Sequence, residues 1–108
     1  MYLEAIILKN CSYSIALSKL FKNKIKYIEV DDTTKHKYKT EEIQTFPQLY
    51  IKKNNSQQYL IGGYNDTVNI LNIIKSNSLE QIKKEIKLKL PLLPNKIILK
   101  LVILLKSL

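Results

Sequence analysis

Residues 3 to 9 form a short apolar run of strand length. After an Asn10-Cys11-Ser12 turn, Ile15, Ala16, Leu17, Leu20 and Phe21 recur at helical spacing. Lys24 to Val30 then alternates, with Ile25, Tyr27 and Glu29 on one face and Lys26, Ile28 and Val30 on the other. Strand, helix and strand in that order predict a parallel pair within an α/β sheet. Asp31 to Lys39 is polar, and Thr40 to Ile43 predicts a short helix broken by Thr45-Phe46-Pro47. Leu49 to Lys52 and Gln58 to Ile61 read as two strands joined by a hairpin turn over Lys53-Asn54-Asn55-Ser56. Gly62-Gly63 ends the second of them. Asn65, Asp66 or Thr67 is then placed to cap a helix burying Val68, Leu71 and Ile74, and the helical spacing resumes through Leu79, Ile82 and Ile86 after a Ser76-Asn77-Ser78 break. The expected architecture is a mixed four-stranded sheet with flanking helices in three layers.

The chain has 108 residues, enough for one domain with its own core, and Cys11 is its sole cysteine. A single cysteine excludes an intramolecular disulfide and a cysteine-built zinc site. His36 lies in a Lys-rich polar stretch with no ligand spacing around it. Eighteen basic residues face nine acidic ones, yet all eighteen are Lys. Arg provides most bidentate recognition of bases and phosphates, so the excess reads as compositional bias and no nucleic-acid partner is predicted. The excess is uneven: 13 Lys stand against nine acids up to Ile86, a net +4, whereas residues 87 to 108 hold five Lys and no acid. The amino-terminal residues lack the features of a secretory signal, which predicts a reducing, cytoplasmic setting and gives no weight to the Asn-x-Ser/Thr matches at Asn10, Asn54 and Asn65.

Three groups of residues are candidates for chemistry. Cys11 falls between the first strand and the first helix, where unpaired N–H groups, the helix dipole and nearby Lys9 favour a thiolate. Taken alone, it reads first as a small buried hydrophobe and only then as a nucleophile. Pro47 opens a strand, and a cis proline there presents the preceding backbone to an extended ligand, although a strand-initiating proline has the same signature. Gly62-Gly63-Tyr64-Asn65-Asp66 sets a close-approach backbone and a carboxylate at a helix N-terminus, suiting a small zwitterion or simply making a turn and a cap.

In this order, Cys11-Ser12-Tyr13-Ser14, Thr45-Phe46-Pro47 and Leu60-Ile61-Gly62-Gly63-Tyr64-Asn65-Asp66-Thr67 resemble the glutaredoxin family of the thioredoxin fold, over roughly residues 3 to 86. The resemblance implies a glutathione-dependent thiol–disulfide oxidoreductase that deglutathionylates proteins by a monothiol route, with Cys11 as nucleophile and glutathione as cosubstrate. It further implies that Ser14 and Lys9 support the thiolate. Tyr13 would flank the tripeptide, Phe46 beside Pro47 would pair with its cysteinyl backbone, Asn65 and Asp66 would hold its γ-glutamyl end, and Lys9 would meet its glycyl carboxylate. Gln48 is a further residue for the same groove.

The departures shape that reading. Ser12 and Ser14 stand where the dithiol pattern has a proline and a second cysteine, so only a monothiol route is open. Lys9 lies two positions before the cysteine rather than three, and Phe46 replaces the valine expected before the proline. One alternative is the monothiol class that holds a [2Fe–2S] cluster between two subunits through one cysteine and one glutathione each, in which Cys11 is the metal ligand. Another is a non-catalytic adaptor acting through its tail.

That tail begins as an expected extended connector, Leu88 to Pro94, since Pro91 and Pro94 forbid a continuous helix, and Asn95 is a plausible cap for the helix after it. On that helix Lys96, Lys100 and Ser107 share a stripe and apolar residues cover the rest. The chain therefore divides into a glutaredoxin-like domain, 1–86, and a basic amphipathic extension, 87–108. The extension is expected to pack on the domain, on a second subunit or protein partner, or on a membrane surface.

Overall fold

The computed structural model describes residues 1–54 and 56–108. Its elements run β1 (Tyr2–Leu8), α1 (Ser12–Phe21), β2 (Lys26–Val30), β3 (Gln48–Asn54), β4 (Gln57–Gly62), α2 (Tyr64–Ser76), α3 (Leu79–Lys89) and α4 (Asn95–Lys106). The sheet order is β2-β1-β3-β4. β1 and β2 are parallel, with Ala5 opposite Tyr27, while β1–β3 and β3–β4 are antiparallel, with Ala5 opposite Leu49 and Ile51 opposite Tyr59. The α/β class and the mixed four-stranded sheet are thus as the sequence predicts. Asn55 of the expected hairpin turn lies outside the described residues.

Strand alternation sends two sets of side chains to opposite faces. Leu3, Ala5, Leu49, Ile51 and Ile61 join Leu17, Phe21, Ile70, Ile73, Ile82 and Ile86 in the main core. Ile6, Val30 and Tyr50 join Phe46 in a smaller cluster with Leu8, Ile28, Tyr38 and Leu60 packed around it. All four helices contribute to the first cluster and none to the second. The expected three layers are therefore corrected to two, with the 31–47 segment covering the second face. Toward the end of that face Lys52 pairs with Glu4 at 3.0 Å, both side chains largely shielded.

The helix expected over Thr40 to Ile43 does not form; a short 3-10 turn occupies Lys35–Tyr38 instead. Asp31 starts that turn by accepting the N–H groups of Thr33 and Thr34 at 2.8 and 3.0 Å. Thr40 donates its N–H to the Ile43 carbonyl while its hydroxyl accepts the Ile43 N–H, a local closure that competes with helical pairing.

The carboxy-terminal segment also differs from expectation. α3 continues through Lys89, because the constraint before Pro91 acts on Leu90 and leaves Leu88 and Lys89 free to stay helical. The boundary expected after Ile86 therefore lies inside a helix. Pro94, not Asn95, precedes α4, its carbonyl accepting the N–H groups of Ile97 and Ile98. Leu93, Ile97, Ile98, Leu101, Val102 and Leu105 are buried in the main core, so α4 is an integral part of the domain's own packing. Among the described residues no helix is long and apolar enough to cross a membrane.

Candidate functional site

Cys11 stands immediately before α1, with extended backbone at φ −97° and ψ 125°. The chain reaches it through Asn10 at φ 63°, a left-handed conformation that asparagine tolerates, and the Cys11 N–H closes the turn onto the Leu8 carbonyl. Burial raises the Cys11 thiol, but the influence of the Ser14 N–H, the Ser14 hydroxyl and the Tyr13 N–H outweighs it and holds the pKa below its ordinary value. The Cys11 side chain makes no capping hydrogen bond to the helix, whose N-terminal position favours the charged form of the sulfur. Ser14 is buried and its oxygen accepts the Leu8 N–H at 2.9 Å. The Ser14 side chain thus ties the end of β1 to the first turn of α1.

On the other side of the sulfur lies the backbone before β3. The Phe46–Pro47 peptide is cis, and the Cys11 sulfur sits 3.9 Å from the Phe46 carbonyl oxygen, to which the thiol donates. Both Phe46 and Pro47 are buried. Gly63, which precedes α2, lies next to the Pro47 carbonyl, and a Cβ at this position would make an ordinary contact of 3.6 Å with that oxygen. The Asp66 carboxylate accepts the Gly63 N–H at 3.0 Å, and the Thr67 hydroxyl donates to the Gly63 carbonyl at 2.8 Å. Asp66 is thereby the acid of the first turn of α2, while the residue preceding the helix is Gly63 rather than Asn65, Asp66 or Thr67. Gly62 has φ +136°, and a Cβ there would press within 2.7 Å of the Asp66 Cβ, so glycine is required at this corner.

A cavity of about 1030 Å³ is lined by Tyr13, Phe46, Tyr64, Asn65 and Asp66 among others; Cys11 and Pro47 do not line it, but Phe46, whose carbonyl the Cys11 thiol meets, does. Tyr13 is 55% exposed and its ring lies 6.0 Å from that of Tyr64, the two tilted at 43°. The strand β4 and the turn between α3 and α4 complete the walls. The structure brings four residues singled out in the sequence, Tyr13, Phe46, Asn65 and Asp66, to one cavity, which Cys11 and Pro47 adjoin through Phe46 without lining it.

Two others lie elsewhere. Lys9 is exposed and lines a separate hollow of about 500 Å³ along α1, with Ile15, Ser18 and Lys22, because its main chain is held to β2 through the Val30 carbonyl. Gln48 is fully buried on the face away from the helices, donating to the Tyr38 carbonyl and accepting from the Tyr50 hydroxyl, both at 2.9 Å. It anchors the 31–47 segment rather than lining the groove. Tyr64 and Glu42 line the cavity without having been singled out. Tyr64 had a signal, its place directly after Gly62-Gly63, whereas nothing in the local sequence of Glu42 marks it.

Among the described residues, no three His, Cys, Asp or Glu side chains gather as a metal site. With one cysteine per chain, a four-thiolate cluster requires sulfur from outside the chain. Compared with known protein families, curated proteins and solved structures, the chain matches none.

Proposed function

We propose that this chain is a thioredoxin-like, glutathione-dependent thiol–disulfide oxidoreductase that works by a monothiol mechanism on glutathione mixed disulfides, as glutaredoxins do. One observation carries the reading. The Cys11 sulfur lies before α1, 3.9 Å from the carbonyl of Phe46, and Phe46 in turn lines a cavity together with Tyr13, Asn65 and Asp66. The sheet order, with a parallel β1–β2 pair and an antiparallel β3–β4 hairpin followed by α2, supports the thioredoxin-like assignment.

In the proposed cycle the Cys11 thiolate attacks the glutathionyl sulfur of a mixed disulfide. The bond to the substrate sulfur breaks, a Cys11–glutathione disulfide forms, and the substrate leaves as a thiolate that takes a proton from water. The thiolate of a second glutathione then attacks the glutathionyl sulfur on Cys11, releasing glutathione disulfide and restoring the Cys11 thiolate. No second protein sulfur is needed, which agrees with a single cysteine. The donors at Ser14 and Tyr13 make Cys11 both a better-populated nucleophile and a better leaving group. The N-terminus of α2 suits the γ-glutamyl carboxylate and Asp66 the adjoining ammonium. The Tyr13 and Tyr64 rings offer apolar walls for the tripeptide backbone.

Turnover of the mixed disulfide between glutathione and 2-mercaptoethanol, coupled to glutathione reductase and NADPH, tests the proposal. Wild type is expected to turn over and Cys11→Ser is not. A folded wild type without turnover, or a Cys11→Ser variant that retains it, overturns the reading.

A further inference from the structure

The most exposed large apolar side chains of the described residues lie together in the sequence, around the turn between α3 and α4. Leu88 is 81% and Leu92 is 90% exposed, although their neighbours Leu93, Ile97 and Ile98 are buried. The contrast is built into the backbone. Pro91 and Pro94 bracket the turn, the Leu93 N–H bonds to the Leu90 carbonyl, and the Lys87 ammonium donates to the Leu93 carbonyl at 2.8 Å. Leu93 is drawn into the core while Leu88 and Leu92 are held outward.

Charge says what such a tip fits. From Gln81 to Leu108 the chain carries seven Lys and one carboxylate, Glu85. Lys83, Lys84, Lys87, Lys89 and Lys96 are all exposed near the two leucines in sequence, and Glu85 accepts a bond from Gln81 on its own helix. A second copy would set one lysine-rich surface against another, which is repulsive. A bilayer with anionic headgroups offers both complements: negative charge for the lysines and an apolar interior for the exposed leucines. With α4 itself packed in the core, the apolar contact with lipid falls to the turn rather than to that helix.

We propose that the α3–α4 turn is a peripheral membrane-docking tip, inserting Leu88 and Leu92 into the surface of an anionic phospholipid bilayer while the surrounding lysines contact its headgroups. The inference uses no property of Cys11, although Lys89 and Leu92 of the same turn also line the cavity assigned above to glutathione.

Sedimentation of the full chain with vesicles tests it, using phosphatidylcholine alone and phosphatidylcholine mixed with phosphatidylserine. The protein is expected to bind the mixed vesicles and to be released by high salt. Leu88→Ser combined with Leu92→Ser should weaken binding by about tenfold or more, because both leucines lose their burial in lipid. Both sites are exposed, and an unchanged circular dichroism spectrum verifies the fold. Lys96→Glu should weaken binding more than Lys24→Glu, which makes the same charge change on a different element. Three results overturn the proposal: no binding to the mixed vesicles, equal binding by the double-serine variant, or concentration-dependent self-association that the serines abolish without any vesicle binding.

Discussion

Leu101 is fully buried in the main core from α4, whereas Ile103, two residues along the same helix, is 55% exposed. Truncating both to alanine therefore removes similar atoms from two environments. Leu101→Ala forfeits the transfer of its side chain and leaves a cavity that its neighbours fill only in part, at a cost of about 2–5 kcal/mol. For a domain of this size that lowers Tm by roughly 10–25 °C. Ile103→Ala lies on the solvent side and should cost on the order of 0.5 kcal/mol. Urea unfolding followed by circular dichroism, with the slope compared between variants, separates the two. Equal midpoints for the two variants, or a Leu101→Ala midpoint at the wild-type value, would refute the claim that α4 is part of the domain. The same reasoning predicts that removing residues 91–108 abolishes cooperative unfolding, because six buried side chains leave the core with it.

Three further outcomes follow from the local geometry. Ser14→Ala should raise the Cys11 pKa and slow its alkylation by iodoacetamide at neutral pH, read from the pH dependence of the rate, since it removes one donor to the sulfur. Gln48→Leu should cost about 1–3 kcal/mol in urea unfolding, because the Tyr38 carbonyl and Tyr50 hydroxyl lose their partners. Asp31, whose carboxylate accepts bonds from Thr33 and Thr34, is held down to about 2. A depressed folded pKa means that its contribution is complete above the ordinary aspartate range and is lost as pH falls toward 2. Wild type should therefore lose its stability advantage over Asp31→Asn across that window in acid-denaturation measurements, and an advantage independent of pH would contradict the assignment.

The β strands were legible because their alternation survives in the structure. Ile25 and Tyr27 pack on the helical side while Ile28 and Val30 pack on the other, as the period-two pattern requires. The corner at Gly62-Gly63 was legible for a different reason, a backbone conformation and a close approach that a side chain would obstruct. The 31–47 segment was not. Its acidic and threonine residues have helix-start chemistry at both Asp31 and Thr40, and the choice rests on side-chain bonds that no periodicity reports. Lys9 and Gln48 were misplaced because proximity in sequence to Cys11 and Pro47 does not fix direction: strand pairing turns Gln48 to the buried far face and carries Lys9 to another hollow. The role of α4 was open because an apolar helix looks the same in sequence whether it packs on its own domain or on a partner.

Intact-mass spectrometry of the two half-reactions tests the central claim most directly. Exposure to glutathione disulfide should add one glutathione to the wild-type chain, located at Cys11 by peptide mapping, and subsequent exposure to reduced glutathione should remove it, with the Cys11→Ser chain unmodified throughout. A wild-type chain that takes up no glutathione, or one whose adduct reduced glutathione does not release, would contradict the monothiol account.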